Sequence, residues 1–173
     1  MEKNRCYVGI DIGKFGGIAV ITDEGVQTFQ MPKIKTELDY HALANMFEGF
    51  SNKYPDMHIS FEKLGVIFGS SKQTAFSMGE QSGCVEMLCL CSATPYTKVR
   101  AVDWQKEMFQ GLDQITKAGK SGKPVRDTKA MALMAIKRLY PSLKLTFGER
   151  ATVPHDGLID AVLIAAYAKR KNM

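Results

Sequence analysis

CYVGIDIGKFGGIAVIT, residues 6–22, decides the fold. An apolar run closes on Asp11, Gly13, Gly16 and Gly17 make a turn, and GIAVIT (17–22) resumes as a second strand. Apolar, β-branched stretches bounded by glycine are the pattern of strands joined by a tight turn. Asp23-Glu24-Gly25 is a further hairpin turn, into VQTFQM (26–31), a third strand that Pro32 ends. A three-stranded meander therefore opens the chain.

Beyond it, strands and helices alternate. Leu38, Ala42, Met46 and Phe50 recur at helical spacing with Leu43 and Phe47 beside them, which predicts a helix over about 39–52. MHISFE (57–62) is a fourth strand, ending on Glu62, and the Gly/Ser-rich GVIFGSSK (65–72) is a loop. A helix is expected over about 74–90, a fifth strand over TPYTKV (94–99) and a short helix over 103–109. LDQITKAGKSGKP (112–124) is polar and rich in Gly and Lys, and is read as a flexible basic loop. DTKAMALMAIKRLYP (127–141) is an amphipathic helix with Asp127 near its start and Pro141 past its end, and a last helix runs over about 155–171. The order βββαβαβα and then α predicts an α/β fold, a mixed five-stranded sheet, antiparallel over its first three strands and parallel thereafter, with helices on both faces. No repeat, low-complexity tract or linker divides the chain, so one domain over 1–173 is expected.

Composition narrows the classes. Hydrophobic residues at 45% and charged residues at 24% are ordinary for a soluble globular protein. No stretch approaches ~18 uninterrupted apolar residues, so no membrane span is expected. No apolar signal region with a small-residue cleavage site opens the sequence, so a cytoplasmic location is expected. Cys6, Cys84, Cys89 and Cys91 lack zinc-site spacing and are expected to be buried, reduced thiols. Residues 95–150 hold twelve Lys/Arg against five Asp/Glu, within a chain of net charge +5. A basic central segment suits a polyanionic partner.

Four carboxylates fall in telling places. Asp11 and Glu62 each end an apolar strand, and Asp156 and Asp160 sit at i and i+4 in PHDGLIDAVLIAAYA, which puts them on one helix face. Singly, each has an ordinary explanation: a turn residue for Asp11, a helix cap for Asp156. Asp160 is harder to dismiss, because Ala161 to Ala166 are all apolar and a lone carboxylate at the edge of such a buried surface is costly. Converging carboxylates cannot all ionise unless a cation compensates. Hard oxygen ligands suit Mg²⁺, and two such ions can drive an in-line phosphodiester displacement.

The ordered set resembles RuvC-type Holliday junction resolvases of the RNase H-like superfamily. GIDIGKFGGIAVI (9–21) resembles their first hairpin, SFEKL (60–64) their second acidic motif, and HDGLIDAVLIAAYAKR (155–170) their C-terminal acidic helix, especially in the phage and virus branch. FSMGEQSGCVEML (76–88), VDWQKEMF (102–109) and KAMALMAIKRLYP (129–141) look like the family's intervening segments. The resemblance implies an RNase H-like fold and a crossover junction endodeoxyribonuclease. Asp11, Glu62, Asp156 and Asp160 would be the catalytic, metal-binding residues, with two Mg²⁺ ions per site and Mn²⁺ able to substitute. It further implies a homodimer on branched DNA, with no small-molecule cofactor. Many bacterial members place the third acid three residues before the last; here that position is Gly157, and the acid lies four before. The neighbouring His155 could be a ligand, a proton shuttle or a capping residue. The loop after Glu62 would meet DNA, with Phe68 stacking on a base or packing in the core, and Ser70, Ser71 and Lys72 on phosphates. Lys14, Lys117, Lys120 and Lys123 are further candidates for touching DNA.

Three rivals share parts of this pattern. Actin-like and sugar-kinase-like phosphotransferases open with a similar hairpin but need a second Gly-rich motif that is not present, and Gly13-Lys14 lacks P-loop spacing. A non-cleaving junction-binding homologue would not need all four acids. An RNase H-fold nuclease acting on another branched or hybrid nucleic acid shares them.

Overall fold

The computed structural model describes residues 5–65, 71–148 and 150–173. Strands β1 (Cys6–Asp11), β2 (Gly17–Thr22) and β3 (Gly25–Gln30) form the expected antiparallel meander. Two short strands, β4 (Lys33–Ile34) and β5 (Glu37–Leu38), pair before α1 (Tyr40–Lys53). The Asp39 side chain caps α1 by accepting from the Ala42 amide. Strand β6 (Met57–Glu62) precedes α2 (Lys72–Cys91), β7 (Tyr96–Val99) and α3 (Ala101–Met108). Strands β8 (Thr116–Ala118) and β9 (Pro124–Arg126), then α4 (Thr128–Leu139) and α5 (Asp156–Lys171), complete the chain.

The main sheet has the order β3-β2-β1-β6-β7, with β6 parallel to both β1 and β7. Its pleat sorts the side chains into two cores. Cys6, Val8, Ile10, Val20, Ile59 and Phe61 meet Leu43 and Phe47 of α1 and Val85 and Cys89 of α2. Tyr7, Ala19, Ile21 and Val99 face the other way, onto Trp104 of α3, Met131 and Ile136 of α4, and α5. Helix α5 is apolar nearly all round, as a helix covered on several sides must be. It lies so close to β1 that a Cβ on Gly9 would come within 2.1 Å of the Ala161 carbonyl oxygen. Glycine at position 9 therefore sets the depth at which α5 rides on the sheet.

Three expectations need correction. Residues 112–124 are not an unstructured loop: β8 lies within them and pairs antiparallel with β9, which starts at Pro124, with Gly122 at φ 76° between the two strands. The α2 helix starts earlier than expected, with Ser71 as its cap, the hydroxyl accepting from the Thr74 amide. The cysteines are all free, but only Cys6 and Cys89 are buried; Cys91 is exposed and Cys84 is half-buried. Burial pushes the Cys6 and Cys89 thiols up to about 12, so they behave as small hydrophobes. No described helix is long and apolar enough to cross a membrane.

Candidate active site

The site forms because two neighbouring parallel strands end together under a helix. Ile10 pairs with Phe61 in the β1–β6 register, so Asp11 and Glu62 follow side by side at the strands' C-terminal ends. The same pleat that turns Gly9 toward α5 turns Asp11 there. Above it, α5 begins at Asp156 and brings Asp160 round one turn later. The four carboxylates interact: Asp160, Glu62 and Asp156 all raise the Asp11 pKa by charge repulsion.

Burial dominates that perturbation. Desolvation first, then the neighbouring carboxylates, lift Asp11 from 3.8 to about 8. The same causes lift Asp160 to about 7, partly opposed by Lys129. The outer two acids are held differently. Asp156 is half exposed and forms an ion pair with Lys129 of α4. Glu62 accepts a hydrogen bond at Oε1 from the indole nitrogen of Trp104, 2.8 Å away. Trp104 is the only tryptophan in the chain and is 1% exposed. A tryptophan inside a helical pattern reads as core, and its bond to Glu62, 42 residues earlier, is a tertiary fact that periodicity does not carry.

Gly157 explains the spacing of the acids on α5. It forms a bridge with Gly16, and a Cβ there would lie 2.5 Å from the Phe15 carbonyl oxygen. No side chain fits three residues before Asp160, so the acid stands at Asp156. His155 is the residue preceding α5; its ring packs edge-on against Phe147 at 4.8 Å between centroids, and its Nδ1 is buried without a partner among the described residues.

The residues expected to touch DNA scatter around this centre. Phe68 and Ser70 lie outside the described residues. Ser71 is engaged as the α2 cap, and Lys72 is exposed at that helix's first position. Lys117 sits on β8, 3.3 Å from Asp127 Oδ1, while Lys120 and Lys123 are exposed on the β8–β9 turn and its far edge. Lys14 is exposed beside Asp11, with its Nζ 5.3 Å from the centre of the Phe15 ring. Lys33 of β4 approaches the same ring at 5.2 Å. A cleft of 470 Å³ opens here, lined by Asp11, Lys14, Phe15, Glu37, Gln73 and Gln81 among others. Phe15 and Lys33 do not stand out in the sequence, because Phe15 sits within a turn and Lys33 stands 22 positions beyond Asp11.

Two structures of Thermus thermophilus RuvC superpose on this chain. RuvC in complex with Holliday junction substrate matches with a TM-score of 0.59 at 13% identity, over 96% of each chain. A second RuvC structure gives 0.58 at 15% identity over 95% of each. No family model matches the sequence, and no curated protein does. The likeness is one of architecture: this chain has the RNase H-like fold in its RuvC-type arrangement, with the sheet order and the helices on both faces.

Proposed function

We propose that the chain is a metal-dependent, structure-selective DNA endonuclease. It resolves four-way junctions by paired nicks that leave 5′-phosphate and 3′-hydroxyl ends. One observation carries the reading: Asp11 and Asp160 are partly buried carboxylates whose ionisation is opposed both by desolvation and by two further acids. Such a cluster gains stability by taking up a cation.

The donor set fits Mg²⁺, with Mn²⁺ as a substitute. All four candidates are carboxylates. No three potential ligand side chains among the described residues stand close enough to enclose an ion by themselves. Mg²⁺ suits such a partial shell, because it keeps waters and completes its octahedron with substrate phosphate. Asp11 and Asp160 would hold it, with Glu62 and Asp156 at the margins. When bound, two such ions supply an activated water and neutralise charge on the departing oxygen. The chain's own groups do the placing: Trp104 fixes one oxygen of Glu62, and Lys129 holds Asp156. Lys129 would be freed as Asp156 turns to a metal.

Affinity for DNA would come from the basic residues around the cleft and on the β8–β9 hairpin. A homodimer supports paired cutting, since twofold symmetry in the protein matches that of a four-way junction. Exposed Met87 on α2, beside Tyr40, Leu88 and Cys91, gives a second copy an apolar surface to cover. The test is Asp11→Asn and Asp160→Asn, assayed separately for junction binding and for cleavage. Both variants are expected to bind and neither to cut; cleavage at the wild-type rate by either would overturn the assignment.

A further inference from the structure

The β1–β2 turn carries an aromatic side chain for which the core has no use. Phe15 is 68% exposed, although the turn around it is closely constrained. The Gly16 amide donates to the Gly13 carbonyl at 2.9 Å, and Gly16 bridges to Gly157 at the start of α5. The Phe15 backbone itself rests against Gly157. The ring is thus presented on a fixed backbone, four residues from Asp11, and two ammonium groups attend it from different elements, Lys14 at 5.3 Å and Lys33 at 5.2 Å. The ring's contacts here are with two ammonium groups, the weak attraction of an exposed cation–π pair, and not with a buried apolar face.

The cleft that Phe15 borders runs from Asp11 to α2. Gln73, Thr74, Ser77 and Gln81 supply its polar wall. Gln81 is only 6% exposed, and its Nε2 donates to Ser77 Oγ at 2.9 Å, which leaves an amide with hydrogen-bonding capacity deep in the cleft. At 470 Å³ the space lies within the roughly 300–1,000 Å³ range of small-ligand sites. That is room for a single nucleotide.

We propose that Phe15 is a stacking platform for one unpaired nucleobase of the strand being cut, with Lys14 and Lys33 passing from the ring to the flanking phosphates and the Gln81–Ser77 pair facing the base edge. The inference rests on the endonuclease reading and adds a subsite to it. Aromatic platforms with adjoining cations are the common device for single-stranded nucleic acid, because every base offers a π-face. The unstacked bases at a branch point meet that requirement, and a base seated here would bring its own phosphate toward Asp11.

The test uses the full chain and a series of synthetic four-way junctions. Each carries one 2-aminopurine at a different position flanking the branch point, in Ca²⁺ to hold the complex without cutting. Wild type is expected to quench the reporter at one or more positions. Phe15→Ala should lose that quenching and bind about 5- to 150-fold more weakly, the range for removing one base–aromatic stack. Phe15→Trp should restore both, and Lys14→Gln with Lys33→Gln should lower the salt dependence of binding without abolishing quenching. Equal quenching and affinity in wild type and Phe15→Ala would overturn the proposal while leaving the endonuclease reading intact, provided wild type cuts the junction in Mg²⁺. Wild type that neither binds nor cuts any junction would overturn the endonuclease reading itself. A changed oligomeric state of DNA-free Phe15→Ala, with DNA binding unaltered, would show that a second copy covers the ring and would likewise overturn the platform.

Discussion

Trp104 belongs both to the core and to the site. Its ring packs in the same cluster as Met131 and Ile136, edge-on to Phe109 at 6.0 Å, while its N–H directs Glu62. Partners that orient a ligating group commonly account for 10–100-fold in metal affinity. Trp104→Phe keeps most of the apolar volume and removes the donor. It is therefore expected to raise the divalent-ion concentration for half-saturation by about tenfold or more, measured calorimetrically with Mn²⁺. As the sole tryptophan, Trp104 also reports on the site: its emission should change when Mg²⁺ is added to wild type and stay unchanged in Glu62→Gln. An unaltered Mn²⁺ affinity in Trp104→Phe would mean that the indole serves packing alone. Asp11 and Asp160 predict a pH effect of definite sign. Folded, they titrate near 8 and 7; both start from 3.8 when unperturbed. Between roughly pH 4 and pH 8 the folded protein thus holds protons that the unfolded chain has released, and stability falls as pH rises through that window. Metal-free wild type should melt lower at pH 8 than at pH 5. Asp11→Asn should show a smaller drop, and Mg²⁺ at pH 8 should raise the wild-type midpoint. Parallel melting curves for wild type and Asp11→Asn would show that Asp11 is not buried as an acid.

At the scale of elements, the hairpin β8–β9 is where sequence and structure part. Its six strand residues are all exposed, so no alternation of apolar and polar side chains announces it. The strands are held instead by their ladder and by the Gly119–Gly122 turn, a backbone arrangement that composition reads as flexibility. Strands β1, β2 and β6, in contrast, were legible, the first two as apolar runs bounded by glycine or charge and β6 as an alternation of Met57, Ile59 and Phe61 with polar residues after Pro55. Asp11 and Glu62 were legible for the same reason, since a carboxylate closing a strand stands out against its neighbours, whereas Asp156 and Asp160 were legible from their i, i+4 spacing beside an apolar helix run. What the sequence could not carry was pairing across the fold, such as Trp104 with Glu62, Lys129 with Asp156 and Gly157 against Gly16. The hairpin's exposed lysines make a prediction at this scale. Replacing Lys117, Lys120 and Lys123 together with Gln should lower the slope of log K against log salt by roughly 0.9 for each DNA phosphate left without its lysine. Lys117 is also paired with Asp127, so its share should be smaller than that of Lys120 or Lys123. An unchanged slope would remove the hairpin from the DNA interface.

For the whole molecule, the arrangement separates chemistry from affinity. The acids gather where β1 and β6 end beneath α5, whereas the basic surplus is concentrated in residues 95–150, on the hairpin and the helices beside it. A cluster of acids on a chain of net charge +5 meets a polyanion productively only when cations occupy that cluster. Binding and cutting should therefore respond differently to metal. The decisive measurement is the incubation of an end-labelled mobile four-way junction in EDTA, Ca²⁺, Mg²⁺ or Mn²⁺, beside linear duplex, flap and RNA–DNA hybrid, with product ends tested by ligase. A metal-dependent junction nuclease is expected to bind under all of these conditions and to cut only with Mg²⁺ or Mn²⁺. The nicks should fall at symmetry-related positions on two opposing strands, selectively on the junction, and should be sealable by ligase. Cleavage in EDTA, nicks confined to one strand, or preferential cutting of the hybrid or the flap would contradict the junction-nuclease reading.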